Sequence, residues 1–233
     1  MSAEIAATWE SELTETLKAV IFDFDGVILE SADIKTEAFL ELFSDYPEHQ
    51  EAILRYHLDN VGISRFQKFD WIYTELLRSP LDAVQARNLG DAFSEIIFDK
   101  IIACPLVPGA LDLLKQLHLS TKLFVASGTP QEELELVVHH RGLKPYFREI
   151  WGSPERKADI IRTILDRYNL AREEVLFVGD GISDYRAASE TGIPFFARKR
   201  NGMSQTWDEL GVMGGYDLTP IASLFSGGAV PDA

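Results

Sequence analysis

Three short apolar runs in this 233-residue sequence end abruptly in polar side chains: Asp23 and Asp25 after residues 19–22, Ser127 and Thr129 after 123–126, and Asp180 and Asp184 after 175–178. Carboxylates crowded together repel one another. Such a cluster requires either a cation between its members or raised pKa values, and an oxygen-only set selects magnesium. Asp23 and Asp25 stand two residues apart on an extended segment and so reach the same edge, one as nucleophile and the other over the substrate. Gly26 then lets the chain turn out. In Ser127-Gly128-Thr129-Pro130 a hydroxyl and free N–H groups precede a helix start, which is an anion cradle. Lys157, just before another helix, would set a compact ammonium against both a transferring anionic group and Asp23. Taken singly, each of these residues also fits an ordinary cap, turn or solvated lysine; their coincidence at three strand ends favours chemistry.

The elements that must bring these residues together follow from hydrophobic period. The runs at 19–22, 123–126 and 175–178 are continuously apolar, as in strands covered on both faces, with weaker strands expected at 147–151 and 194–197. Helical periods at 110–117, 132–140 and 158–168 alternate with them, which predicts an α/β fold: a doubly wound parallel-sheet (Rossmann-like) core. In an open parallel sheet the strand carboxyl ends share one edge, where ligands bind beside the reversal of strand order. About a hundred residues separate the first two strong strands, far more than one crossover needs. Their apolar positions, among them Leu42, Phe69, Ile72, Phe93 and Ile97, have helical spacing. The expected organisation is therefore a core at 1–29 and 105–233 with an inserted helical cap domain at 30–104, Pro105 and Pro108 marking the return. Tyr216-Asp217-Leu218 is a candidate final edge strand before a short helix.

Composition bounds the partners. With 46% hydrophobic and 25% charged residues the chain should fold, and a net charge of −15 excludes a broad nucleic-acid or anionic-membrane surface. The lone Cys104, among Ile101, Ile102 and Ala103, reads as an inert packed thiol in a reducing, cytoplasmic compartment. The first seventeen residues read as a tail or peripheral helix, with neither the apolar run of a signal peptide nor that of a membrane anchor.

Asp23-Phe24-Asp25-Gly26-Val27, Ser127, Lys157 and Gly179-Asp180-Gly181-Ile182-Ser183-Asp184 together resemble the four ordered motifs of the haloacid dehalogenase superfamily. The helical insertion resembles the cap of its phosphoglycolate phosphatase and β-phosphoglucomutase-like branch. The resemblance implies that Asp23 forms an aspartyl-phosphate and that Asp25 protonates the leaving alkoxide, then activates water. It implies Mg²⁺ held by the Asp23 and Asp180 side chains and the Asp25 backbone carbonyl, with Asp184 a direct or water-mediated ligand. Ser127, the Gly128 N–H and Lys157 would hold the phosphoryl oxygens. Dehalogenases and phosphonate-cleaving members lack the second aspartate, so Asp25 disfavours both activities here.

Within the cap, Val61-Gly62-Ile63-Ser64-Arg65 resembles the loop that faces the active site in β-phosphoglucomutase relatives, which makes Arg65 a candidate for a second anionic group. His57, His139 and His140 read as surface or packing residues, and Phe69 and Trp71 as cap core. The leading expectation is a phosphatase acting on a small phosphorylated metabolite. A phosphomutase on the same aspartyl-phosphate is the alternative, and a catalytically silent binding or regulatory protein is the alternative of another class.

Overall fold

In a strand that alternates its side chains between two faces, complete burial of every residue requires cover on both sides. Ala19–Phe22 (β1) is such a strand, buried along its whole length. Val20 and Phe22 face one apolar cluster and Ala19 and Ile21 the other. The computed structural model describes residues 17–200 and 204–225; the tail or helix expected before Leu17 lies outside the described residues.

The chain runs from β1 through four helices, Ala32–Leu42 (α1), Gln50–Asp59 (α2), Arg65–Trp71 (α3) and Ala83–Ala103 (α4), the third continuing into a π-helical turn at Ile72–Leu76. No strand pairs between β1 and the next sheet strand among the described residues. The Asp82 carboxylate caps α4 by accepting from the Val84 and Gln85 N–H groups. Then follow Ala110–Leu117 (α5), Lys122–Pro130 (β2), Gln131–His140 (α6), Glu149–Ser153 (β3), Lys157–Tyr168 (α7), Val175–Gly179 (β4), Ile182–Thr191 (α8) and Phe195–Arg198 (β5). Ser204–Glu209 (α9), Gly214–Gly215 (β6) and Thr219–Ser223 (α10) complete the described chain.

The six strands are all parallel in the order β3-β2-β1-β4-β5-β6. Phe22 stands opposite Val125 on β2 and Val178 on β4, so the residues that follow, Asp23, Ala126 and Gly179, lie level, and β2 runs on from there to Pro130. Strand order reverses beside β1, which fixes where a ligand crevice opens. Helices α5 and α6 cover one face, with Leu114, Leu117 and Val138 in a cluster that continues into Phe39, Phe43, Phe69 and Phe93 of the preceding helices. Helices α7 and α8 cover the other through Ile160, Ile161, Ile164 and Ala188. Cys104 is buried, and burial pushes its thiol pKa up. No described helix is long and apolar enough to cross a membrane.

Several boundaries differ from expectation, the largest at the strand expected over 123–126, which runs from Lys122 to Pro130 so that Ser127 and Thr129 lie within it and not past its end. The strand expected at 147–151 pairs as Glu149–Ser153, because the Phe147 N–H is taken by the Lys144 carbonyl in a tight turn. The strand expected at 194–197 begins one residue later, since Pro194 has no N–H to give. The edge strand expected at Tyr216-Asp217-Leu218 is instead Gly214–Gly215. A Cβ on Gly214 would lie 2.3 Å from the Ala197 carbonyl oxygen, so only glycine can approach β5 there.

Candidate active site

At the end of β1 the Asp23 N–H still donates to the Val178 carbonyl at 2.8 Å, which pins its side chain at the sheet rim beside the strand-order reversal. Asp23 Oδ1 accepts the Phe24 N–H at 2.6 Å and Oδ2 accepts Lys157 Nζ at 2.8 Å. Across that reversal, Asp180 follows β4 and Asp184 sits in the first turn of α8, its Oδ2 accepting the Gly181 N–H at 3.0 Å. Lys157, the first residue of α7, gives a second bond to Asp184 Oδ1 at 2.5 Å. One oxygen from each of Asp23, Asp180 and Asp184 lies within 4.8 Å of the others, and all three residues are buried.

Three buried carboxylates stand against one ammonium, paired with two of them, and the Arg200 guanidinium, 3.2 Å from Asp180 Oδ2. The imbalance shows in their acidities. Burial, opposed by Lys157 and reinforced by Asp184, holds Asp23 up at about 7. Burial and then Asp23 hold Asp180 at about 6, and burial raises Asp184 despite Lys157. Burial pushes the Lys157 pKa down, but the facing Asp184 and Asp23 charges together outweigh it and hold the ammonium well above the usual lysine range. Asp180 Oδ1 is buried without a hydrogen-bond partner. An orphaned anionic oxygen in an oxygen-only set is the environment a hard divalent cation satisfies.

Gly26 is required twice over. Its φ of +77° is left-handed, and a Cβ there would lie 2.2 Å from Asp180 Oδ2. Gly26→Ala is expected to lower stability by about 1–2 kcal/mol through backbone strain alone and to displace Asp180, weakening divalent-ion binding. Thermal melts and calorimetric titration read both, and wild-type values for the variant would show that Asp180 does not need its present position.

Asp25 points elsewhere. Its Oδ1 accepts from Ser31 Oγ at 2.6 Å, and its Oδ2 accepts from Thr129 Oγ1 at 2.7 Å and from Lys35 Nζ at 2.5 Å. Burial pushes its pKa up, but the Lys35 charge and these hydrogen bonds outweigh burial and hold the carboxyl below its usual range. The residue therefore rests as a carboxylate, the form that accepts a proton.

Asp23, Asp25, Ser127, Gly128 and Arg65 line one cavity of about 60 Å³, while Lys157 approaches Asp23 from the other side of the Val61–Arg65 loop. That loop, Val61 to Arg65, closes tightly over the strand ends. Ser183 Oγ donates to the Val61 carbonyl at 2.6 Å, and Cβ atoms on Gly62 or Gly128 would strike Ser183 Oγ or the Gly62 carbonyl, at 2.4 and 2.6 Å. Arg65 reaches the cavity with its guanidinium already engaged: Glu133 Oε1 at 2.5 Å, Ser94 Oγ at 2.8 Å and the Phe93 ring at 4.5 Å. His57, grouped above with surface or packing residues, is buried in the same lining, whereas Phe69 is core and Trp71 stacks on Tyr56 at 3.7 Å.

Sequence reasoning missed Ser31, Lys35, His57, Lys68 and Arg200. Only Arg200, just past β5, carried the strand-end signal. Ser31 has the look of a helix cap, yet its side chain makes no cap bond and donates to Asp25 instead.

The sequence model for haloacid dehalogenase-like hydrolases matches residues 17–192. The chain is 29% identical over 190 residues to the phosphoglycolate phosphatase of Vibrio cholerae, covering 76% of this chain and 82% of that one. It is 26% identical over 186 residues to the phosphorylated carbohydrates phosphatase of Thermotoga maritima, with 76% and 82% covered. Among solved structures, CbbY from Rhodobacter sphaeroides in complex with xylulose-1,5-bisphosphate shares the fold with a TM-score of 0.70 at 18% identity, covering 90% of this chain and 99% of that one.

Proposed function

Because the chain belongs to the haloacid dehalogenase-like hydrolase family, we propose that it is a magnesium-dependent phosphatase of small phosphorylated metabolites that works through an aspartyl-phosphate on Asp23. The observation that carries this reading is the meeting of Asp23, Asp180 and Asp184 around an unpartnered Asp180 oxygen beside the strand-order reversal. The curated relatives named as phosphatases support it. Residues 30–104 act in it as a cap over a core made of 1–29 and 105–233.

In this scheme Mg²⁺ is held by the Asp23, Asp180 and Asp184 side chains and the Asp25 carbonyl, and supplies charge neutralisation for the transferring group. Asp23 Oδ attacks phosphorus as the bond to the leaving oxygen breaks, giving the aspartyl-phosphate and an alkoxide that Asp25 protonates. Asp25 then takes a proton from water, which attacks phosphorus and returns the Asp23 carboxylate with release of phosphate. Its resting carboxylate form suits the second step. For the first, the negative charge of a bound phosphoryl dianion raises the Asp25 pKa, so that the carboxyl takes up from solvent the proton it then gives to the alkoxide. Ser127, the Gly128 N–H and Lys157 hold the phosphoryl oxygens, and the 61–65 loop excludes bulk water. Phosphate release from p-nitrophenyl phosphate with Mg²⁺, stopped by EDTA, is the expected result; no release from any of a panel of phosphate monoesters would end the proposal.

The carboxylate acidities add a pH test. Asp23 and Asp180, raised from 3.8 to about 7 and about 6, bind more protons folded than unfolded, so the stability they contribute is lost as pH climbs through that range. Magnesium competes with those protons. The rise in melting temperature on adding Mg²⁺ is therefore expected to be larger near pH 7.5 than near pH 5. An equal rise at both would mean that these carboxylates are not the ligands.

A further inference from the structure

The Val61–Arg65 loop separates two cavities that differ in what lines them. The smaller, of about 60 Å³, holds both Asp23 and Asp25. Across the loop lies a larger one of about 280 Å³, which neither of these carboxylates reaches and which Lys157 lines instead. Gly62, Ile63, Ser127 and Gly128 line both. The partition is closed by backbone against backbone, since a Cβ on Gly128 would lie 2.6 Å from the Gly62 carbonyl oxygen and 2.9 Å from that of Ile63.

In the proposed scheme the groups that reach the transferring phosphoryl divide between these cavities. Asp25, which protonates the leaving alkoxide and then activates water, lines only the smaller one, so the organic product departs and water arrives on that side. Ser127 and Gly128 face both sides, and Lys157 lines only the larger. Once the bond from phosphorus to Asp23 has broken, inorganic phosphate is therefore held by residues that open on the larger cavity, which is wide enough to admit it.

Charge continues the route outward. Lys157 is engaged by Asp23 and Asp184 at 2.8 and 2.5 Å, and at the rim Arg156 is engaged by Glu190 at 3.2 Å. Arg186, exposed on α8, lines the same cavity and has no carboxylate within ion-pair distance among the described residues. In a chain of net charge −15, that uncompensated cation gives a dianion a favourable step from the buried acids toward solvent. Glu155, exposed on the same rim, keeps the hold weak, as a passage for product requires. We propose that the larger cavity is the exit for inorganic phosphate, used while the 61–65 loop stays closed over the smaller one, with Arg186 as its outer binding residue. The proposal rests on the phosphatase reading above and adds to it a second passage, with the ligand that uses it.

Filling the passage from its rim tests this without touching the chemistry. Gln67 is exposed on α3 and lines the larger of the two cavities but not the smaller. With p-nitrophenyl phosphate and Mg²⁺, Gln67→Trp is expected to give its first-turnover burst of p-nitrophenol at the wild-type rate. Release of phosphate, followed with a fluorescent phosphate-binding protein, should slow at least about fivefold. Acid quenching leaves the aspartyl-phosphate intact and so separates slow hydrolysis from slow escape: phosphate already formed but not yet released should accumulate on the variant. Arg186→Glu, which reverses the charge at the mouth without filling it, should delay release in the same sense by about two- to fivefold. Formation and release of phosphate that keep their wild-type spacing in both variants, or a p-nitrophenol burst slowed by Gln67→Trp, overturns the exit and leaves the phosphatase reading standing. Release of phosphate from no monoester by the wild type overturns both.

Discussion

Asp23→Asn should lose turnover while keeping its fold. The expected fall in kcat/KM is at least about 10⁴-fold, because a carboxamide cannot attack phosphorus, whereas the amide oxygen can still accept the Phe24 N–H that Oδ1 accepts now. Stability should move the other way from the usual result of altering a buried charged residue. Burial and Asp184 already penalise the Asp23 carboxylate enough to hold its pKa at about 7, and Lys157 keeps Asp184 as a partner when Asp23 is neutral. The metal-free variant is therefore expected to melt no lower than wild type at neutral pH. Steady-state kinetics on p-nitrophenyl phosphate and a thermal melt read the two effects, and robust turnover by the variant would remove Asp23 from the chemistry.

Lys157→Met carries the largest expected cost in stability. Its ammonium stands between Asp23 and Asp184 with a side chain 7% exposed, so its removal leaves two buried carboxylates facing each other. Breaking a buried pair by deleting one partner costs about 3–5 kcal/mol, and losing a preorganised positive charge beside the transferring group costs about 10²–10³ in kcat/KM. The comparison with Lys68 sharpens the test. Lys68, buried with no carboxylate within ion-pair distance among the described residues, should respond in the opposite sense to the same substitution, because Lys157 neutralises acids and Lys68 has none to neutralise. Adding Asp23→Asn to Lys157→Met should return part of the lost stability, since it removes one of the stranded charges. A Lys157→Met protein with wild-type stability would show that the carboxylates are already protonated or differently paired.

The legible parts of the sequence were those where one local pattern decides the outcome. A continuously apolar run such as 19–22 has no alternative to a strand covered on both faces, and the polar residues that end three such runs had to emerge at one edge once the strands were parallel. Strand β6 was not legible, because two glycines pair there for want of a side chain: what decides is the Ala197 carbonyl, far off in sequence. The same distinction runs through the site. Asp23, Asp180 and Asp184 meet through strand geometry, but Lys35, His57 and Lys68 come from helices whose approach depends on how Phe39, Phe69 and Phe93 pack. Arg65 shows the limit most plainly. The loop that contains it was recognisable, yet whether its guanidinium faces a ligand or Glu133 depends on the meeting of α3 with α6, which no spacing encodes.

Phosphoryl transfer through Asp23 has a stereochemical signature that needs no variant and no trapped species. Each in-line displacement at phosphorus inverts its configuration, so two displacements, first by Asp23 and then by water, restore it. A phosphate monoester made chiral at phosphorus with oxygen isotopes, hydrolysed by the wild-type protein with Mg²⁺ in isotopically distinct water, should give inorganic phosphate with net retention. Net inversion would mean that water attacks the substrate directly, and Asp23 would then be a metal ligand and nothing more.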